Sequence, residues 1–252
     1  MTWSFSRLNS YHHCPYEFKL HYIECNKSKS SAMAQFGTLI HTILEKYAKG
    51  ELSIFEISQY YEEHFDQVVT ERFPYNKYVD LRESYYQKGL DYLDNINLIL
   101  DDYEILGVEL KVEFEISGRP FIGFIDLLLR DKKTGELIIL DHKSSSLKFK
   151  KNGEISKTDA DHFLEFQRQL YLYSIPVIKE YGKVSFLEWN MFKDQKFVKI
   201  PWTEEGYREA IKWAEDTLTA IENEREWLPN NSNQFYCRNL CGQRENACEY
   251  KM

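Results

Sequence analysis

Apolar residues recur at helical spacing through the first third of the chain and switch to a period of two near residue 109. Phe36, Ile40, Ile43, Leu44 and Tyr47 repeat every three or four positions, as do Ile57, Tyr61, Phe65 and Val68. Leu81, Tyr85, Tyr92, Leu93, Ile96 and Leu100 predict a third helix reaching Leu100. From Glu109 to Ile116 the pattern alternates: Leu110, Val112, Phe114 and Ile116 face one way, and Glu109, Lys111, Glu113 and Glu115 the other. Two further apolar runs, Phe121–Leu129 and Leu137–Leu140, flank Arg130-Asp-Lys-Lys-Thr-Gly135, a tight polar turn with Gly135 free to take positive φ. Phe163, Phe166, Leu170 and Tyr173 mark another helix, with Pro176 placed to kink it. Strands over 183–191 and 196–200 precede a helix carrying Tyr207, Ile211, Ala214, Leu218 and Ile221. Helices on both sides of a central mixed sheet predict an α/β core with a helical insertion over 51–104. No repeat, low-complexity tract or proline-rich linker divides the chain, so residues 1–252 are expected to form a single domain.

Two acidic residues break the apolar runs. Asp126 interrupts Phe121–Leu129, and Asp141 ends Leu137–Leu140, with Lys143 two residues on. If the hairpin is symmetric about the Lys133–Thr134 bond, Asp126 falls directly opposite Asp141, with Cβ atoms about 4.5–5.5 Å apart. The period of two then sets Lys143 on the same face as Asp141. Two carboxylates that close do not both stay ionised in an apolar setting without a compensating cation. Lys143 is one such charge, and a divalent ion with oxygen ligands, magnesium or manganese, is another. A plain buried Asp–Lys ion pair, with the second Asp solvated, is the competing reading of the same pattern.

The 252 residues are 43% hydrophobic and 15% aromatic, enough for a substantial core. There is no apolar run of transmembrane length, and Met1-Thr-Trp-Ser-Phe-Ser lacks the build of a signal peptide. A cytoplasmic protein without membrane contact is therefore expected, in which the five cysteines are thiols or metal ligands rather than disulfides. A net charge of −8 argues against a general electrostatic grip on nucleic acid but not a local one. Lys148, Lys150 and Lys151, in the serine-rich loop directly after Lys143, are the candidate phosphate contacts. No phosphate-binding Gly-x-x-x-x-Gly-Lys loop is present, so any unwinding falls to a partner.

Six elements occur in one order: Cys14-Pro15, Gly37-x3-His41, Gly123-x-Ile125-Asp126, Asp141-His-Lys143, Gln169-Leu-x-Leu-Tyr173 and a terminal cysteine group. Together they resemble the RecB-like branch of the PD-(D/E)XK nucleases, which includes the nuclease domains of AddB-type recombination proteins and CRISPR-associated spacer-processing exonucleases. The resemblance implies a restriction-endonuclease-like fold. It implies Asp126 and Asp141 as metal-binding carboxylates, Lys143 as the residue that holds the attacking water, and the His142 backbone carbonyl as a further ligand, its side chain facing away. His41 resembles the additional metal ligand of the branch, and Gln169 and Tyr173 resemble residues that orient Lys143 or a phosphate. A glutamate often stands on the preceding strand; Glu109 and Glu113 both fit, and Glu109 is preferred.

Cys14 with Cys237-x3-Cys241-x6-Cys248 resembles the 4Fe–4S staple of this branch, which implies that segment 227–252 docks at Cys14. Each terminal gap is one residue longer than the family's usual spacing, and zinc or unligated thiols are the alternatives; Cys25 lies outside the pattern. The implied activity is metal-dependent DNA exonuclease action on single strands or ends, in recombination, repair, phage replication or CRISPR processing, beside a helicase or another partner of those pathways. A catalytically weak DNA-binding or scaffolding relative is the alternative.

Overall fold

The computed structural model describes residues 2–250, so the expected domain 1–252 and terminal segment 227–252 extend past the described residues at Met1, Lys251 and Met252. Seven α-helices and five strands follow in the order α1 (Phe5–His13), α2 (Pro15–Phe18), α3 (Ala32–Ala48), α4 (Ile57–Val68), α5 (Leu81–Asp94), β1 (Tyr103–Ile116), β2 (Arg119–Asp131), β3 (Leu137–Lys143), α6 (Ala160–Tyr181), β4 (Val184–Met191), β5 (Lys196–Pro201) and α7 (Glu204–Asn223). The strands form one mixed sheet in sequence order, antiparallel except for the β3–β4 pair. A parallel pair needs a crossover, and the 22-residue α6 is that connection.

Strand alternation divides the interior into two cores. Leu137 and Ile139 of β3 pack with α1, α6 and α7 through Phe5, Leu8, Phe166, Leu170, Ala214 and Leu218. Ile138 and Leu140 face the other way, onto α3, α4 and α5 through Ile40, Leu44, Tyr61, Phe65, Tyr92 and Leu93. With both faces covered, β3 is buried from Leu137 to His142. Serine, threonine and aspartate caps begin several helices: Ser31 Oγ accepts from Ala34 N at 3.2 Å at α3, and Asp80 Oδ1 from Arg82 N at 2.9 Å at α5.

The β2–β3 turn is ordered by Asp131, whose Oδ1 accepts from Lys133 N and Thr134 N at 2.8 and 2.9 Å, while Gly135 takes φ 73°. Its register matches the symmetric hairpin: Leu127 pairs with Leu140 and Leu128 with Ile139. Three expected boundaries move. The third helix stops at Asp94, because Asn95 leaves helical geometry and Ile96–Leu100 pack as irregular chain. The expected insertion 51–104 overlaps β1, which begins at Tyr103. β3 continues past Asp141 to Lys143, paired with β4 through Lys143↔Met191. Helix α6 runs through Pro176 to Tyr181.

One close approach ties helix to sheet beside the site. The ring of Tyr173 lies so close on Gly123 that a Cβ there would overlap it. Gly123→Ala is therefore expected to cost about 1–3 kcal/mol, the usual range for overpacking, read as a lower urea midpoint at unchanged slope. An unchanged midpoint would show that α6 moves freely off β2.

Candidate active site

The site is built where two strands part. β2 and β3 pair from Arg130↔Leu137 to Leu127↔Leu140 and then diverge, although β2 reaches back to Arg119 and β3 on to Lys143. Asp126 and Asp141 are the first residues beyond the last pair. Asp126 Oδ2 accepts the backbone N–H of His142 at 2.6 Å, standing in for a carbonyl of the ladder. On the other side of β2, the pairs Val108↔Leu127 and Leu110↔Ile125 bracket Glu109 opposite Asp126. Glu109 holds φ 48°, a left-handed conformation that costs a non-glycine residue about 1–3 kcal/mol and that clusters at functional sites.

Helix α3 brings in His41, its Nδ1 3.4 Å from Asp126 Oδ2. Gly37, one turn earlier, allows that approach: a Cβ there would come 3.2 Å from Ser144 Oγ, in the chain leaving β3. Ligand atoms of His41, Glu109 and Asp126 lie within 4.8 Å of one another, the only such trio of metal-ligating side chains among the described residues.

Asp141 and Lys143 meet α6. Asp141 is 4% exposed. Its Oδ1 accepts from Gln169 Nε2 at 3.2 Å, and Lys143 Nζ donates to Gln169 Oε1 at 2.8 Å, so one amide holds both members of the Asp-x-Lys element. Asp141 Oδ2 lies 2.8 Å from Lys143 Nζ but accepts no aligned hydrogen bond. Lys143 also sits over the Phe166 ring, 5.0 Å from its centroid. Tyr173, one turn beyond Gln169, is buried, and desolvation with Asp141 nearby raises its phenol above the ordinary range.

Burial dominates the electrostatics. It raises the Asp126 carboxyl well above its ordinary value, reinforced by Asp141 and opposed by the His142 N–H and Lys143. Glu109 is raised by burial and by Glu45. His41 is lowered by burial, against the pull of Asp141. His142 turns away from Asp141 toward the second core, its ring centroid 5.7 Å from that of His41, and Asn190 Nδ2 lies 3.0 Å from its Nδ1 and donates to Tyr92 Oη at 2.6 Å; burial lowers it furthest. Carboxylates that resist ionisation, an under-bonded buried oxygen and one imidazole are a donor set suited to a hard divalent ion such as magnesium or manganese.

The remaining candidates lie apart. Lys148, Lys150 and Lys151 are exposed; Lys150 pairs with Glu154 at 2.8 Å, and the loop is pinned where Asp194 accepts from Ser146 Oγ at 2.8 Å. Cys14, Cys237, Cys241 and Cys248 line one small cavity, while Cys25 is exposed elsewhere. Asn230 N donates to Cys14 Sγ at 3.4 Å, and burial with Glu17 alongside pushes the Cys241 thiol up to about 12. Sequence patterns missed the support residues Phe166, Asn190 and Tyr92. Asn190 carried a usable signal, a polar residue inside the apolar strand Trp189-Asn-Met191.

A raised carboxyl makes the metal-free protein lose stability as pH climbs. Below about pH 4 Asp126 is protonated folded and unfolded alike and contributes nothing; above it the unfolded chain releases its proton first, and the folded state is penalised. In EDTA at pH 8, Asp126→Asn is expected to stabilise the fold by about 0.5–2 kcal/mol, as relief of a functional strain does. Thermal melts check this, with the gain vanishing near pH 4; a variant that melts lower than wild type at pH 8 contradicts it.

A model of the PD-(D/E)XK nuclease superfamily matches residues 2–252. Comparison with curated proteins finds no match. Among solved structures, a protein from Eubacterium rectale provisionally named an exonuclease aligns with TM-score 0.55 and 12% identity over 100% of this chain and 90% of its own. SSO0001 aligns at 13% identity over 94% and 96%, with a TM-score of 0.34 too low to bear on the fold. The five-stranded mixed sheet flanked by helices is a restriction-endonuclease-like α/β core, and with a family match running from Thr2 to the last residue, the chain belongs to the PD-(D/E)XK nuclease superfamily.

Proposed function

We propose that this protein is a metal-dependent DNA exonuclease of the RecB-like branch, hydrolysing phosphodiester bonds in single strands or at strand ends. The observation that carries the reading is the convergence of Asp126, Asp141, Lys143, Glu109 and His41 at the fork between β2 and β3. His41, Glu109, Asp126 and Asp141, with the His142 carbonyl, are the groups to hold magnesium or manganese. Such an ion neutralises charge on a phosphodiester and acidifies bound water. Lys143 then stabilises negative charge developing on the phosphate, and its ammonium is already aimed by Asp141 and Gln169. Gln169 limits the rotamers open to both groups, the positioning that hydrolysis without a covalent intermediate depends on. Tyr173 closes the apolar side of the site against Gly123. Lys148, Lys150 and Lys151 are assigned to phosphates flanking the cut.

We propose further that Cys14, Cys237, Cys241 and Cys248, which line one small cavity, hold a 4Fe–4S cluster. The setting we propose is cytoplasmic, beside a helicase or another recombination or CRISPR partner.

Wild-type protein with magnesium or manganese is expected to degrade linear end-labelled DNA and to spare circular DNA; cutting of circles would make it an endonuclease. Asp141→Ala and Lys143→Ala are each expected to lower the rate about 10²–10³-fold, of the order of removing one transition-state charge partner, with circular dichroism showing the fold retained at the assay temperature. Full activity in Asp141→Ala would remove the site assignment. Anaerobically purified protein is expected to be brown and to contain iron that Cys14→Ser loses; colourless, iron-free wild type would end the cluster reading.

A further inference from the structure

A second surface, outside the fork, has the chemistry of a single-strand platform. Residues 70–80, between α4 and α5, are anchored at their base. Gln35 Oε1 accepts Glu71 N at 2.8 Å, Gln35 Nε2 donates to Thr70 Oγ1 at 3.2 Å, and Phe73 packs on Tyr85 with ring centroids 5.0 Å apart. Their tip is thrust outward: Tyr75 is 92% exposed and Tyr78 81%. Lys77 Nζ lies 4.7 Å from the Tyr78 ring centroid, and Asn76 Oδ1 accepts Tyr78 N at 2.9 Å, so the tip is ordered although it covers nothing. Large aromatic rings held in solvent by an ordered turn are costly for folding and suit a flat ligand.

The loop borders two open grooves, of about 690 and 510 Å³, that share Thr70–Pro74. The second runs between the start of α3 and the cysteine-bearing segment, with Arg238 and Arg244 on its far wall. Of the cations lining the two grooves, Lys29 and Arg82 are paired with carboxylates and Arg244 donates to backbone carbonyls, which leaves Arg72, Lys77 and Arg238 without an acidic partner among the described residues. Those three stand on a chain of net charge −8. The guanidinium groups of Arg72 and Arg238 make no ion pair or hydrogen bond among the described residues, whereas Lys29 is bound to Glu71 and Glu245. Uncommitted cations beside exposed rings match a charged backbone carrying stackable bases. The groove reaches Ala32 at the start of α3, and His41 is nine residues on, about 14 Å along the helix.

We infer that the groove between loop 70–80 and segment 238–245 binds single-stranded DNA, with Tyr75 and Tyr78 stacking on bases and Arg72, Lys77 and Arg238 contacting phosphates, and feeds the strand toward the fork. The inference rests on the nuclease reading for the destination of the strand but not for its binding. The test is fluorescence anisotropy of full-length protein with 5′-fluorescein-labelled oligo(dT) of 20 nucleotides in EDTA, so that no cleavage intervenes. Tyr75→Ala/Tyr78→Ala is expected to weaken binding at least tenfold with the salt dependence unchanged. Arg72→Ala/Arg238→Ala is expected to weaken it and to lower the slope of log K against log salt by about 1.4, two single-strand phosphates' worth. Both double variants alter exposed side chains, and unchanged melting curves certify their folds. Wild-type affinity in both variants overturns the inference, as do equal affinity for a duplex of the same length and no affinity for DNA. Wild type that binds the oligonucleotide yet cuts nothing with manganese would overturn the nuclease reading and leave this one standing; wild type that cuts while both variants bind normally does the reverse.

Discussion

Everything at the fork depends on one substitution in a β-ladder. Beyond Leu127↔Leu140 a regular hairpin would continue through backbone bonds; here the Asp126 carboxylate takes the His142 N–H at 2.6 Å. A side chain longer than a carbonyl sits in that slot, so the strands part and a wedge opens between them. The wedge admits His41 from α3 on one side and leaves Asp141 and Lys143 facing α6 on the other. Antiparallel pairing of β1 with β2 on one flank and parallel pairing of β3 with β4 on the other keep the fork from spreading further. The candidate site thus lies at the carboxyl end of β3, where the crossover to α6 begins, the place in an open α/β sheet that leaves backbone and side chains accessible to a ligand.

The same wedge concentrates charge of one sign. Glu109, Asp126 and Asp141 act on one another at the fork, and among the described residues Lys143 is the lysine bound there. Gln169 adds hydrogen bonds without adding charge, so it orders Asp141 and Lys143 but leaves the deficit of positive charge untouched. Glu109 adds backbone strain to electrostatic cost at the same point. A fold does not keep three mutually repelling carboxyls and a left-handed glutamate for its own stability. The divalent ion proposed above would offset that cost, because binding to the folded state alone returns free energy by mass action.

How much of this was legible follows from the length scale of each signal. The Asp131–Gly135 turn fixes a hairpin locally, so its register could be read from the chain alone, but pairing ends at Leu127↔Leu140 and the expected direct Asp126–Asp141 pair does not form, because Asp126 takes the His142 N–H instead. Superfamily membership was legible in the order of the motifs. Boundaries were harder where packing overrides pattern. Ile96 and Leu100 keep helical spacing yet pack against the second core as irregular chain. Residues Tyr103–Val108 of β1 escaped notice because a register shift between Ile105 and Gly107 breaks their alternation. α1 hid for another reason: only Phe5 and Leu8 of its nine residues are buried, too few to show a period. The part played by Glu109 needed its φ of 48°, and Phe166, Asn190 and Tyr92 act through contacts 23 or more residues distant in sequence, which no local pattern encodes.

The terminal segment matters to the fork although it lies outside it. Gly242 O accepts Lys29 N at 2.8 Å, and Arg244 donates to the carbonyls of Lys29 and Ser30 at 3.0 and 2.7 Å, fixing the residues just before the Ser31 cap of α3. Gln243, fully buried, binds Ser28 Oγ at 3.2 Å, and Glu17 joins Tyr236 to Gly242 N. The start of α3 is thus held by a segment more than 200 residues away, and α3 is the helix that carries His41. A group bound by Cys14, Cys237, Cys241 and Cys248 would therefore act on chemistry indirectly, by fixing the helix that presents His41 to Asp126. Loss of that docked segment would loosen α3 and the groove wall first, while the Asp141–Lys143–Gln169 triangle, anchored in β3 and α6, would keep its geometry.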